Sequence, residues 1–225
     1  MLRAIVFDFD GVIANSEPLH YQAFRDVLAE SAQAFSEQEY YARYLGFDDL
    51  GVFRTVMADR GLDCSNARLA ELVARKAARL EVLERDVSII LFPGAEAAIR
   101  RAAAAVPLAI VSGALGVEIR RTLERERLLG CFAAIVAAED TVSSKPAPDP
   151  YLRALALLAG TGRPVAAADC VAIEDSPWGL QSARAAGLRT VAVAQTYDAS
   201  VLDADLVIST TASLDLAAIE RLCSR

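Results

Sequence analysis

The sequence predicts an α/β protein, a parallel sheet with helices on its faces, and an all-helical domain inserted after the first strand. Three observations carry this. Short apolar runs of β type recur between longer helical patterns, a stretch of about 70 residues holds only helical periodicity, and 54% of the 225 residues are hydrophobic. A chain of this length and composition can bury one sizeable core together with a modest inserted domain.

Strands are expected at Ala4 to Phe9, Leu108 to Val111, Ala134 to Val136, Cys170 to Ile173, Thr190 to Val193 and Leu206 to Ile208. Their brevity, and the helical patterns between them, point to parallel strands buried on both faces. Gly94, Gly187 and the loop "SSKPAPDP" from Ser143 to Pro150 mark joins. From about Pro18 to about Ile90 the chain reads as helices, as in "LHYQAFRDVLAE" and "NARLAELVARKAARLEVLER". That segment is too long for one crossover and too periodic for a loop. The core is therefore expected over residues 1–16 and 92–225, and the inserted domain over 17–91, with hinges near Asn15 to Pro18 and Leu91 to Gly94. Abundant alanine with only 7% aromatics suits helices packed closely on a small-residue sheet.

Charge and cysteine usage narrow the function. A formal net charge of -7, from 23 basic and 30 acidic residues, leaves no general basic surface for nucleic acid or an anionic membrane. A small anionic substrate depends only on local charge and stays open. The N-terminus enters a strand directly and no apolar run is long enough to cross a bilayer, so a cytoplasmic protein is expected; separately, it is expected to be a monomer. Cys64, Cys131, Cys170 and Cys223 are scattered without a C-x-x-C pair, as reduced packing thiols would be.

The chemistry is concentrated at strand ends. In "FDFDG", Asp8 and Asp10 lie two apart and so share one face of the strand end. Ligands of parallel α/β sheets bind beyond the carboxyl ends of the strands. Ser112 and Gly113 follow "PLAIV", Lys145 sits in "SKPAPDP", and Glu174 and Asp175 follow "VAI", all at that rim. Separately, each has a plainer reading: strand-end polars, a turn, a solvated charge, acids at a helix start. Together, four carboxylates raise each other's pKa unless a cation intervenes. Magnesium suits hard oxygen ligands and keeps room for water and a phosphate. One aspartate can then act as nucleophile while its neighbour moves protons.

"FDFDG", "VSG", "KPAPDP" and "IEDSPWGLQSARAAG" resemble, in order and spacing, the four motifs of the haloacid dehalogenase superfamily. The resemblance covers about residues 4–20 and 93–195, and the helical insertion is similar to that of the β-phosphoglucomutase and phosphoglycolate phosphatase group. It implies a Rossmann-like core with a mobile helical cap. It further implies that Asp8 attacks phosphorus and becomes an aspartyl phosphate, and that Asp10 protonates the leaving oxygen and then activates water. Ser112 and the Gly113 amide would bind phosphoryl oxygens, and Lys145 would hold both phosphate and Asp8. Glu174 and Asp175 would hold Mg2+ with Asp8 and the Asp10 carbonyl.

His20, the lone histidine, matches a residue of that group tied to cap closure, and its ordinary pKa would let it titrate near neutrality. In "LGFDDLGVF", Asp48 and Asp49 stand where mutases of the group carry a phosphate-binding arginine. They are candidate substrate contacts that would repel a second phosphate, with Arg54 and Lys76 as substitute cations. Trp178 is expected to pack. The function implied is a magnesium-dependent phosphatase for a small phosphorylated metabolite, above all a sugar phosphate. A phosphomutase is the second reading. Dehalogenation ranks lower because Asp10 is present, and a non-catalytic binding module is the alternative outside enzymes.

Overall fold

The computed structural model describes residues 1–30, 34–45, 47, 49–86, 90–160 and 165–224. The chain divides into two compact units, Met1–Asn15 with Ile90–Arg225, and Ser16–Ile89.

The first unit is built on a six-stranded parallel sheet. Its strands are β1 (Ala4–Phe7), β4 (Leu108–Val111), β5 (Phe132–Val136), β6 (Cys170–Glu174), β7 (Arg189–Val193) and β8 (Leu206–Ile208), in the order β5-β4-β1-β6-β7-β8. From β1 the chain runs outward through β4 and β5, then returns to lay β6, β7 and β8 on the other side. Strand order therefore reverses beside β1, and a crevice opens there beyond the carboxyl ends. Val6 pairs with Ala109 on one side and Ala172 on the other. Every residue of β1 and β4 is fully buried, as the continuous apolar runs require. Helices α5 (Ala95–Ala103), α6 (Gly116–Arg125), α7 (Asp149–Ala159), α8 (Pro177–Ala185) and α9 (Leu216–Leu222) complete the unit. Much of its core is small: Ala4, Ala109, Ala154, Ala172 and Ala183 pack with Val6, Val111 and Tyr151.

The second unit contains α1 (Glu17–Ala29), α2 (Glu37–Arg43), α3 (Asp49–Asp59) and α4 (Asn66–Asp86). Its core is aromatic, with Phe24, Phe35, Tyr40, Tyr44 and Phe53 in one cluster. Phe35 stacks on Tyr40 with ring centroids 5.8 Å apart, and Phe24 meets Phe53 edge-on at 5.2 Å. At the junction, β2 (Ala14–Asn15) pairs antiparallel with β3 (Ile90–Leu91). Two-residue strands carry no periodicity, which is why the sequence gives no sign of them. No described helix is long and apolar enough to cross a membrane.

Four strand ends differ from expectation: β5 starts two residues early at Phe132 and β7 one early at Arg189, and two further ends differ near the rim. β1 stops at Phe7 rather than Phe9, because the chain turns at once: the amides of Ile13 and Ala14 both donate to the Phe9 carbonyl at 2.9 Å. β6 runs one residue further, taking in Glu174. Trp178 does not pack inside; it is 47% exposed at the start of α8. All four cysteines are free thiols, and burial pushes Cys170 up to about 12.

Candidate active site

The rim residues expected from separate stretches of sequence converge. The Asp8 amide donates to the Ile173 carbonyl at 2.8 Å, which carries the pairing of β1 with β6 one residue beyond the strand. The Lys145 ammonium donates to Asp8 Oδ1 at 2.7 Å, Glu174 Oε1 at 2.6 Å and the Val111 carbonyl at 3.0 Å. Three donors thus meet three acceptors at the carboxyl ends of three strands. Ser112 Oγ reaches Asp10 Oδ2 at 3.3 Å and accepts from the Ala114 amide at 3.0 Å. Gly113 lies open at the rim, with nothing within 4 Å of where a Cβ would stand.

Asp8, Ser112, Glu174 and Asp175 are buried. Burial raises the Asp8 carboxyl well above its usual range; Lys145 works against this, and Glu174, Asp175 and Asp10 add to the rise. For Lys145, burial opposes the charge, but Asp8 and Glu174 outweigh it and keep the ammonium protonated. Asp8, Glu174 and Asp175 can each offer an oxygen within 4.8 Å of the others. An all-oxygen donor set with carboxylates in excess over one ammonium fits Mg2+. Asp10 is not part of that three-acid cluster, and Glu174 enters it already bonded.

Those further bonds come from residues the sequence reading missed. Tyr151, fully buried on α7, donates to Glu174 Oε1 at 2.6 Å, and Ser176 Oγ donates to Oε2 at 3.2 Å. Burial, then Glu174, raise the Tyr151 phenol far above its ordinary value, so it stays a donor. Its signal was its place two residues beyond Asp149, where a helix start turns one face to the loop of Lys145. Gly179 is a third: a Cβ there would stand 2.0 Å from the Glu174 carboxylate. Ser176, whose hydroxyl accepts from the Gly179 amide at 3.1 Å, and Pro177 at the first helical position begin α8 against this acid.

Within the helical unit, His20, Asp49 and Lys76 form a cluster. Lys76 is buried on α4, donating to Asp49 Oδ1 at 2.7 Å and to His20 Nδ1 at 3.0 Å, with its nitrogen 4.8 Å from the Phe24 ring centroid. An ammonium has no acceptor, so Nδ1 accepts and the ring proton of His20 sits on Nε2. Burial, then Lys76, push His20 well below its usual value, so the expected titration near neutrality is not met. Asp49 is tied to Lys76 and Arg54 is exposed. Asp48 lies outside the described residues.

A stability test follows from His20. Its folded pKa lies below its unfolded one, so the unfolded chain binds the proton first and stability falls as pH drops below about 6.5. His20→Gln keeps an acceptor for Lys76 without titrating. Between about pH 7 and about pH 5.5, wild type should lose stability relative to His20→Gln by about 1.4 kcal/mol per pH unit at most. Melting curves that stay parallel across this range would contradict it.

Comparison with known proteins finds relatives over most of the chain. A family profile described as haloacid dehalogenase-like hydrolase matches residues 5–193. The chain is 35% identical over 205 residues to protein CbbY of Rhodobacter capsulatus, covering 87% of each chain. It is 29% identical over 221 residues to the β-phosphoglucomutase of Bacillus subtilis strain 168, covering 96% of this chain and 92% of the relative. Among solved structures, a mutant of CbbY from Rhodobacter sphaeroides in complex with xylulose-(1,5)bisphosphate superposes with a TM-score of 0.81 at 26% identity, covering 98% of this chain and 100% of that one.

Proposed function

The chain belongs to the haloacid dehalogenase-like hydrolase family, and we propose that it is a magnesium-dependent phosphatase acting on a sugar monophosphate through a phosphorylated Asp8. It is a phosphoric monoester hydrolase of that type, with the helical unit as its cap, working in the cytoplasm as a monomer. The observation that carries the reading is the placement of Lys145 between Asp8 and Glu174, at 2.7 and 2.6 Å. Phosphoryl transfer asks mainly for positioning and for positive charge near the equatorial oxygens.

In this reading an Asp8 oxygen attacks phosphorus while the sugar oxygen leaves with a proton from Asp10. Asp10 next takes a proton from a water that attacks the phosphorus of phospho-Asp8, which frees inorganic phosphate and restores both carboxyls. Lys145, Ser112 and the Gly113 amide bind the phosphoryl oxygens. Mg2+, held by Asp8, Glu174, Asp175 and the Asp10 carbonyl, would neutralise charge on the carboxylates and the phosphate.

The β-phosphoglucomutase relative favours a second reading, a mutase, and the relative bound to xylulose-(1,5)bisphosphate raises a bisphosphate as substrate. Both call for a cation at the distal phosphate. Lys76 is committed to Asp49 and His20 and is 2% exposed, which speaks for a monophosphate. Phosphorus NMR of β-glucose 1-phosphate primed with the bisphosphate should show phosphate release without isomerisation. Isomerisation much faster than release would reverse the choice.

The same pair gives a stability prediction. Asp49→Arg would leave the buried ammonium of Lys76 without its anion and add a second cation beside it. Losing one partner of a buried pair costs about 3 kcal/mol or more. The variant should melt roughly 6–12 °C lower, at about 2–4 °C per kcal/mol for a chain of this size. An unchanged melting temperature would mean that Lys76 does not depend on Asp49.

A further inference from the structure

We propose that Gln195 and Thr211 are positioning residues that clamp the turn after Asp10 and thereby set the proton-transferring carboxylate against the nucleophile. The inference rests on the phosphatase reading and goes beyond its four rim motifs. The turn folds on itself through its amides: Gly11, at φ 77°, donates to the Ala14 carbonyl at 3.0 Å, while Ile13 and Ala14 donate to Phe9. The carbonyls of Gly11 and Val12 are answered from the other end of the chain. Gln195 Nε2 donates to the Gly11 carbonyl at 3.0 Å, and Thr211 Oγ1 donates to the Val12 carbonyl at 2.7 Å.

The two clamping residues also hold each other. The Thr211 amide donates to Gln195 Oε1 at 3.1 Å, and Gln195 Nε2 reaches Thr211 Oγ1 at 3.4 Å. Thr211 is fully buried. Gln195 follows β7 and Thr211 follows β8, so the outer strands reach back to the catalytic turn. Precision matters there because the turn is wedged: a Cβ on Gly11 would stand 1.8 Å from Asp175 Oδ2 and 2.8 Å from Thr196 Oγ1. A turn released from its clamp moves Asp10, which directly precedes Gly11. Misplacing a catalytic group by about 1 Å can cost up to about 100-fold in rate.

The clamp's effect should fall on proton transfer, which separates it from a general loss of structure. The nitrophenolate of p-nitrophenyl phosphate leaves with little help from an acid, whereas the phenolate of phenyl phosphate, a much stronger base, leans on Asp10. Thr211→Val keeps the shape and removes the donor. It should lower kcat/KM for phenyl phosphate about 10-fold or more and for p-nitrophenyl phosphate less than about 3-fold. Thr211→Ser, which restores the hydroxyl, should recover both. Gln195→Leu should repeat the pattern and carries the test if Thr211→Val does not fold. Equal losses on both esters, or none, would overturn the clamp and leave the phosphatase reading standing. Wild-type protein that releases phosphate from neither ester, with magnesium present, would overturn the reading and the clamp's role with it.

Discussion

Asp8→Asn should release no measurable phosphate from p-nitrophenyl phosphate under conditions where wild type turns over steadily. The expectation comes from geometry before chemistry. Asp8 lies buried at the end of a central strand, and Lys145 reaches its Oδ1 at 2.7 Å. An amide preserves the shape but is no nucleophile toward phosphorus, so no covalent intermediate forms. Asp10→Asn should behave differently. It keeps the nucleophile and removes the acid, costing about 10²- to 10⁴-fold, with the smaller loss on the better leaving group. Asp8→Asn at wild-type activity in purified protein would remove the nucleophile from the account.

Magnesium removal should have an effect of the same order. Chelator in excess should abolish phosphate release, and added magnesium should restore it, because the carboxylates outnumber the single ammonium of Lys145. Asp175→Ala should sharply raise the magnesium needed for half-maximal activity. Stability moves the opposite way. Asp8 has a folded pKa above its unfolded value, so its ionisation destabilises the metal-free fold as pH rises from the ordinary carboxylate range toward that raised value. Asp175 contributes to the rise, so Asp175→Ala should raise the melting temperature of the metal-free protein near neutral pH and shrink the increase that magnesium gives. Full activity in excess chelator, or a metal-free Asp175→Ala less stable than wild type, would contradict this.

The parts legible in the sequence are those fixed by local pattern. β4 and β8 appear at the predicted residues, and the other sheet strands within two at either end, because apolar runs between helical patterns need no long-range information. Asp8, Lys145, Glu174 and Asp175 could be brought to one rim because parallel strands put their ends on one side. Bonds between distant positions were not legible. Tyr151 and Glu174, Gln195 and Gly11, and Thr211 and Val12 are linked only by folding; a glutamine and a threonine carry no chemical mark of such a role, and Tyr151 showed only its place two residues beyond Asp149. Lys76 illustrates the same limit. As a residue type it reads as a solvated charge on a helix, yet Asp49 and His20 hold it inside. Burial of a lysine is decided by its partners.

The proposed mechanism turns on a covalent phosphoryl group on Asp8. Asp10→Asn slows both steps and leaves the nucleophile intact, so incubation with magnesium and p-nitrophenyl phosphate, acid quenching and mass mapping of the digested protein would look for the intermediate directly. One added phosphoryl group is expected on the peptide carrying Asp8, absent from Asp8→Asn and lost on neutral incubation. Phosphate release with no label at Asp8, or a label on Ser112 instead, would contradict it.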